Sequence, residues 1–204
     1  MKTVFLDIDT QIDFLFPAGA LYVPGAEEIV PNLAALTRHA LSRGHQIIST
    51  ADAHSENDPE FKTWKPHCVA GTFGQHKAAA TLTERPFPLV VSSNAGALEP
   101  LTTQLSQAKQ IIVEKQMLDC FSNPSLMPLL NALQADRFVV YGVATEYCVR
   151  CALAGLVVLG KPVFLVTDAI RGINPEASRQ VITGFEARGV TLRSTADVFA
   201  GNWL

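Results

Sequence analysis

The chain has 204 residues and a formal net charge of −3, with 48% hydrophobic and 17% charged residues. This length and composition predict one compact domain, spanning residues 1–204, with a sizeable core. So small a charge imbalance gives no electrostatic basis for binding nucleic acid or an anionic membrane. The four cysteines have irregular spacing in a chain of this length, which is not the pattern of a secreted disulfide scaffold.

The first residues do not form a targeting segment. Asp7 and Asp9 interrupt the apolar start of the chain, and no later stretch reaches the roughly 18 uninterrupted apolar residues that a membrane span needs. We therefore expect neither a signal peptide nor a spanning helix, and a cytoplasmic location.

Apolar runs of strand length alternate with segments of helical period along most of the chain. The predicted strands are 3–8, 46–50, 89–92, 110–114, 138–141, 162–167 and 190–193, and the predicted helices are 26–42, 98–107, 125–134, 146–159 and 176–188. Residues 52–77 are polar and rich in turn-forming residues, which predicts a long loop of the kind that often carries function. Alternation of strands and helices predicts an α/β fold with a parallel sheet covered on both faces.

Cys148 lies just after the predicted strand 138–141, at the carboxyl end where open α/β sheets bind ligands. Thr145 is a candidate N-cap and Glu146 a first-turn carboxylate of the helix that follows. The positive end of that helix favours a nucleophilic thiolate, and its free N–H groups could hold an oxyanion. Two alternatives are a buried structural cysteine and a redox pair with Cys151, although the intervening Val149-Arg150 lacks the usual Gly or Pro.

Two more strand ends carry candidate groups for the chemistry. Asp9 stands at or just past the end of the first strand, and Lys115 ends the strand 110–114. An aspartate pair, Asp7 and Asp9, also suggests a phosphatase of the haloacid dehalogenase type, but Thr10 follows Asp9 directly, which does not fit that motif. Asp13 could simply be a turn or cap residue. Close to an acid and a thiol, Lys115 could raise thiolate character or orient a carboxylate.

The loop after the second strand carries a candidate metal site. Asp52 and His54 leave the strand at i, i+2, so both side chains can face one way, and His67 follows Trp64 further along. Imidazole plus carboxylate suits zinc, iron or manganese.

Taken together, these segments resemble the isochorismatase-like cysteine hydrolases. The matching motifs are DTQIDF at 9–14, DAH at 52–54, WKPHCVAGT at 64–72, VEK at 113–115 and GVATEYCV at 142–149. They occur in the family's order and span most of the chain, and within the family they are most similar to the nicotinamidases.

This resemblance implies a three-layer α-β-α fold with a mostly parallel sheet of about six strands. It implies a catalytic triad of Asp9, Lys115 and Cys148. It also implies a cis peptide before Ala144 that aims the Ala144 and Cys148 amides at the oxyanion. One divalent transition metal, zinc first with iron or manganese as alternatives, would be bound by Asp52, His54, His67 and Glu60.

The implied reaction is hydrolysis of nicotinamide to nicotinate and ammonia through a Cys148 thioester, in a homo-oligomeric enzyme of NAD salvage. The expected substrate contacts are Phe14, Trp64, Phe121 and Ala144, of which Phe14 and Trp64 could equally be packing residues. Many nicotinamidases have a histidine shortly after the Asp-x-His pair, which this chain lacks. Some relatives use a glutamate seven residues before the last histidine, and Glu60 has that spacing; Asp58 is a second candidate.

Two other interpretations remain open at this point. One is a different hydrolase of the same fold: an isochorismatase, or an amidase for maleamate, carbamoylsarcosine or ureidoacrylate. The other is a non-catalytic metal-binding or scaffold protein. The Asp-x-His…His set argues against the first, and the intact Asp, Lys and Cys argue against the second. Residues 81–107 look unlike the short relatives, and they could reshape the entrance of the pocket.

Overall fold

The protein is built on one seven-stranded sheet. The computed structural model describes residues 1–84, 87–92 and 107–203. The strands are β1 (Thr3–Ile8), β2 (Gln46–Asp52), β3 (Leu89–Val91), β4 (Gln110–Lys115), β5 (Arg137–Val143), β6 (Val163–Arg171) and β7 (Thr191–Arg193). Their order is β3-β4-β2-β1-β5-β6-β7, and every neighbouring pair is parallel. The predicted α/β class is therefore confirmed, with seven strands where the resemblance implied about six.

Helices cover both faces of the sheet. In the described residues the α-helices are α1 (Ile12–Leu15), α2 (Val30–Ser42), α3 (Leu126–Leu133), α4 (Arg150–Val157), α5 (Pro175–Glu186) and α6 (Thr195–Ala200). Short 3₁₀ turns lie at Ala26–Ile29, Pro59–Lys62, Phe73–Gln75, Ala79–Thr81 and Cys120–Ser122. None of the helices in these ranges is long and apolar enough to cross a membrane.

The core has two parts, one on each face of the sheet, because successive side chains of a strand point to opposite faces. On one face, Leu6 and Ile8 belong to the apolar cluster that includes buried residues of α3 and α4. On the other face, Phe5 belongs to the cluster that includes buried residues of α2 and α6. All six residues of β1 are buried, as expected for a central strand covered on both sides.

The strand order reverses next to β1. The chain passes from β1 to β2 and the edge strands on one side, then returns through β5 to the other side. A crevice forms at the carboxyl edge of such a reversal, where α/β proteins bind their ligands. The segments that follow β1 and β5, which carry Asp9 and Cys148, flank this crevice.

The predicted elements differ from the observed ones mainly at their ends. The helix predicted at 26–42 begins with a 3₁₀ turn, and the short helices α1 and α6 were not predicted. These two have only 4 and 6 residues, too few to show a helical period in the sequence. Residues 98–106 of the helix predicted at 98–107 lie outside the described residues.

Candidate active site

Three strand ends bring Asp9, Lys115 and Cys148 together. The ammonium Nζ of Lys115 lies 2.9 Å from Asp9 Oδ2 and 3.5 Å from Cys148 Sγ. One carboxylate oxygen of Asp9 and the sulfur of Cys148 lie within 4.8 Å of each other. All three side chains are buried. The acid, the base and the thiol expected from the sequence therefore form one contiguous group.

Asp9 is held by Thr50 as well as by Lys115. The Thr50 hydroxyl donates to Asp9 Oδ1 at 2.5 Å and accepts from the Asp9 backbone N–H at 3.2 Å. Asp9 has a positive φ of 48° and is fully buried. Burial raises the pKa of the Asp9 carboxyl, while Lys115 and the Thr50 hydroxyl act in the opposite direction. A buried carboxylate with a raised pKa is suited to accept and return a proton.

The surroundings of Cys148 favour the thiol over the thiolate, against the expectation of a thiolate stabilised by its helix. Burial raises the pKa of Cys148 well above its ordinary value; Lys115 opposes this, and Asp9 and Asp52 add to it. Two carboxylates face one ammonium, so a third negative charge on sulfur is disfavoured. This direction favours a thiol that is activated by proton transfer over a preformed thiolate.

The segment that carries Cys148 begins as a π-helical turn, Thr145–Val149, before α4. Its N-cap is Ala144, which follows a cis peptide bond from Val143, and no side chain caps the turn. The expected cis bond is thus observed, whereas the predicted N-cap Thr145 already lies inside the turn. Glu146 is in the first turn as predicted. Its carboxylate accepts from the Asn174 N–H at 2.6 Å and from the Ser178 hydroxyl at 3.0 Å.

A second group of side chains, Asp52, His54 and His67, lies beside the first. Each offers one ligand atom, and these atoms all lie within 4.8 Å of one another. Both imidazole Nε2 atoms are 3.8 Å from Asp52 Oδ2. All three residues are buried, and the set is one carboxylate and two imidazoles, as in many divalent metal centres.

The imidazoles are oriented for this role. His67 Nδ1 lies 2.7 Å from the carbonyl oxygen of Lys65, and His54 Nδ1 lies 3.1 Å from Asp58 Oδ2. With the protons on Nδ1, both Nε2 atoms would be free to bind a metal. Both ring nitrogens of His54 are buried without a hydrogen-bond partner, and the unpaired Nε2 beside Asp52 fits a ligand atom directed at an ion. Asp58 thus supports His54 instead of joining the ligand cluster.

Electrostatics also favour a cation at this position. Lys115 is hydrogen-bonded to Asp52 as well as paired with Asp9, so it links the two groups. Burial alone would lower the pKa of Lys115, but Asp52 and Asp9 hold it well above its ordinary value. For Asp52, burial alone would raise the pKa, but Lys115 and His54 keep it below the ordinary range. Two buried carboxylates share one ammonium, and the excess negative charge would be balanced by a metal ion.

Glu60, the fourth expected ligand, lines the same cavity but does not belong to the cluster of three. It lies in the 3₁₀ turn Pro59–Lys62 and is half-buried. Burial and the nearby Asp52 raise the pKa of Glu60. Glu60 therefore lies close to the cluster of Asp52, His54 and His67 but is not one of its members.

Sequence reasoning missed the role of Gln11, which fixes the end of β2. Its side-chain amide donates to the Asp52 carbonyl and accepts from the Asp52 N–H, both at 2.8 Å. The same Nε2 donates to the Gln75 carbonyl at 2.7 Å. A fully buried glutamine with both ends of its amide satisfied holds Asp52 rigidly.

A cavity opens above these groups, and its empty volume, including the space at its open mouth, is about 390 Å³. It is lined by Phe14, Leu21, Val23, Asp52, Glu60, Trp64, His67, Leu118, Val143, Ala144, Tyr147, Cys148 and Ile173. The expected contacts Phe14, Trp64 and Ala144 are among them. Trp64 meets Tyr147 edge to face, with ring centroids 5.1 Å apart. The sequence analysis did not name Tyr147, although its position directly before Cys148 could have identified it as a residue of the cavity.

Phe121 does not line this cavity. Its ring packs against Gly155 of α4, where a β-carbon would come within 2.0 Å of the ring. It belongs to the edge of the apolar core on that face of the sheet. The sequence distance from Lys115 suggested a pocket residue, but the 3₁₀ turn Cys120–Ser122 directs this ring onto the helix.

The cysteines form no disulfide, so Cys148 and Cys151 are not an oxidised pair in this structure. A buried thiol, a proton acceptor and an ammonium beside an apolar cavity can perform acyl transfer. This arrangement does not resemble the paired aspartates of a phosphatase, because Asp7 is turned away from the cavity. Its carboxylate is bound by Lys77 at 3.0 Å and by the Ser49 hydroxyl at 2.9 Å.

Comparison with known proteins agrees with this geometry. The Isochorismatase domain family matches residues 3–197. The nicotinamidase of Escherichia coli (strain K12) is 30% identical over 202 residues, covering 93% of each chain. The pyrazinamidase of Pyrococcus horikoshii in complex with zinc superposes with a TM-score of 0.79 at 27% identity, covering 95% of this chain and 99% of the other. The PnC1 protein of L. infantum in complex with nicotinate gives 0.76 at 26% identity, covering 96% and 93%.

Proposed function

The chain belongs to the isochorismatase family and is a hydrolase of amide bonds, and from this premise we propose that it is a metal-dependent nicotinamidase. One observation carries the proposal. A cysteine, an aspartate and a lysine suited to acyl transfer share a cavity with a carboxylate and two imidazoles suited to a divalent metal, and Lys115 bonds to both groups.

The lining of the cavity favours a flat, neutral ring. Phe14, Trp64 and Tyr147 are aromatic, and Leu118 and Ile173 add apolar surface. Among the described residues that line the cavity there is no lysine or arginine. A carboxylate on the substrate, as in maleamate, would meet no lysine or arginine among these lining residues. A pyridine carboxamide needs none, and its ring can pack between the aromatic walls.

The first half of the reaction forms a thioester. Asp9 accepts the proton of Cys148 as the sulfur attacks the amide carbonyl, and Lys115 stabilises the carboxylate and sulfur charges throughout. The backbone N–H groups of Ala144 and Cys148 hold the oxyanion of the tetrahedral intermediate. The carbon–nitrogen bond then breaks, and Asp9 returns its proton to the departing ammonia.

The second half restores the enzyme. A water molecule gives a proton to Asp9 and attacks the thioester carbonyl; the carbon–sulfur bond breaks and Asp9 returns the proton to Cys148. The acid product leaves with the hydroxyl oxygen of that water. A divalent metal held by Asp52, His54 and His67 would act as a Lewis acid that binds the ring nitrogen and so orients the substrate. Zinc is the first candidate, and iron and manganese are the alternatives.

Ammonia release across a substrate panel tests this proposal. Metal-stripped protein reconstituted with zinc should hydrolyse nicotinamide and pyrazinamide, and should turn over maleamate and carbamoylsarcosine far more slowly. Preference for maleamate or carbamoylsarcosine would reassign the substrate within the family. Full activity on nicotinamide after removal of all metal would contradict the metal dependence. We further propose that the protein is a homo-oligomer that acts on a small-molecule substrate. Gel filtration coupled to light scattering would check the oligomeric state.

A further inference from the structure

The carboxylate of Asp13 connects two separate segments of the cavity wall. Its Oδ1 accepts the backbone N–H of Ala20 at 2.9 Å, and its Oδ2 accepts the backbone N–H of Cys68 at 2.7 Å. The side chain is buried, with 8% of the residue exposed. The bond to Ala20 is typical of a turn residue. The bond to Cys68, by contrast, reaches a segment 55 residues further along the chain.

The backbone of Cys68 links the two histidines of the metal group. It directly follows His67, and its carbonyl oxygen accepts the backbone N–H of His54 at 3.1 Å. Cys68 has a positive φ of 44°, a backbone conformation that a non-glycine residue adopts only when its surroundings hold it there. Its N–H bond to Asp13 and its carbonyl bond to His54 provide that support. Through one residue, Asp13 is therefore linked to both imidazoles.

The packing around Asp13 leaves its carboxylate no room to move. A β-carbon on Gly74 would come within 2.2 Å of both carboxylate oxygens, so the Gly74 backbone closes over the group. Phe14, the next residue, contacts the His67 ring with centroids 5.3 Å apart. Three residues of the segment 9–13 therefore serve the site. Asp9 belongs to the triad, Gln11 hydrogen-bonds to the backbone of Asp52, and Asp13 hydrogen-bonds to the backbone of the loop that carries His67.

We propose that Asp13 is a positioning residue for the metal centre, which fixes the Cys68 peptide and thereby the Nε2 atoms of His54 and His67. The proposal rests on the metal site of the proposed function. Asp13 itself belongs neither to the cluster of candidate ligands nor to the lining of the cavity. Its effect is transmitted through two backbone hydrogen bonds, in the way that outer partners of metal ligands commonly act.

Asp13→Asn is the central test, because the amide has the shape of the carboxylate but only one acceptor oxygen. Its NH₂ group would face the N–H of either Ala20 or Cys68, and one bond is lost. We expect zinc affinity, measured by competition with a chelator, to fall about 10- to 100-fold, the usual cost of losing such a partner. The alkylation rate of Cys148 in metal-free protein should stay within about twofold of wild type, because the triad does not depend on this bond.

A merely structural role is separated from a positioning role by melting with and without zinc. Loss of general stability lowers the melting temperature of both forms equally and leaves the zinc-induced increase unchanged. A positioning role shrinks that increase. Glu146→Gln is the matched control, since Glu146 is equally buried and also accepts two hydrogen bonds, from Asn174 and Ser178. It should lower the melting temperature while keeping the zinc-induced increase.

Gly74→Ala supplies a second, independent perturbation, since the added methyl must displace the Asp13 carboxylate. It should reproduce the loss of zinc affinity with Asp13 itself unchanged, and it serves if Asp13→Asn does not fold. The proposal is overturned if either folded variant binds zinc within twofold of wild type. If wild-type protein binds no zinc, iron or manganese, the metal site of the proposed function fails instead, and the two failures are distinguishable.

Discussion

Replacing Thr50 with valine tests whether the proposed base depends on a single hydroxyl. Thr50 is fully buried, and its hydroxyl both donates to Asp9 Oδ1 and accepts from the Asp9 N–H. These two bonds turn Asp9 so that Oδ2 faces Lys115. Valine has nearly the same shape, so the substitution removes the hydrogen bonds without leaving a cavity.

The expected size of the effect follows from the charge on Asp9. A hydrogen bond to a charged group contributes about 1.5–3 kcal/mol, and about 1.4 kcal/mol corresponds to a factor of ten. We therefore expect kcat/KM for nicotinamide to fall roughly 10- to 100-fold. Zinc content should be unchanged, because Asp52, His54 and His67 do not contact the Thr50 hydroxyl in the described structure.

The pH profile gives a sharper signature than the rate alone. The Thr50 hydroxyl lowers the pKa of Asp9 by stabilising its charged form, against the raising effect of burial. Without it the pKa of Asp9 rises further. Asp9 must be deprotonated to accept the thiol proton, so activity increases as pH rises through this pKa. The acid limb of kcat/KM should therefore move to higher pH in Thr50→Val.

Thr50→Ser is the control, since serine keeps the hydroxyl and loses only a methyl group. It should retain the wild-type acid limb and most of the activity. An unmoved acid limb and near-normal kcat/KM in folded Thr50→Val would refute the assignment of Asp9 as a base oriented by Thr50.

Three further predictions address the thiol and the fourth ligand. Cys148→Ala should fold, bind metal and release no ammonia, since it loses only the nucleophile; ammonia production by the folded variant would end that assignment. Because burial and two carboxylates raise the pKa of Cys148, alkylation of metal-free protein should accelerate only above the pH range of a free thiol; a midpoint below the free-thiol value of about 8.5 would contradict this. Glu60→Ala should weaken zinc binding less than His54→Ala does, because Glu60 lies outside the ligand cluster; equal losses, measured by chelator competition, would make it a direct ligand.

Much of the fold could be predicted because each strand carries its own signal. The buried strands are continuous apolar runs, and their alternation with helical segments requires a parallel sheet. The carboxyl ends of parallel strands meet at one edge, so Asp9, Lys115 and Cys148 could be expected to lie near one another from their positions alone. The metal group could be expected for the same reason, since Asp52 ends β2 and His54 follows it.

The errors concern interactions between segments distant in sequence. The thiolate expectation considered the helix that carries Cys148 and the charge of Lys115, whereas burial dominates the pKa of Cys148 and the carboxylates of Asp9 and Asp52 add to its effect. Thr145 had the residue type of an N-cap, but the chain enters the turn one residue earlier, at Ala144. Phe121 has the right distance from Lys115 along the chain, but not the right direction in space.

By itself, the sequence determined the α/β class, the strand ends that carry chemistry and the types of group that meet there. These follow from local hydrophobic period and residue chemistry, which need no knowledge of long-range contacts. Only the tertiary structure decided the connections between those groups. Lys115 joins both centres because Asp52 and Lys115 are paired in the register of β2 and β4. Thr50, Gln11 and Asp13 gained their roles in the same way, since hydrogen bonds across 41 to 55 residues depend on register and packing rather than on any local pattern.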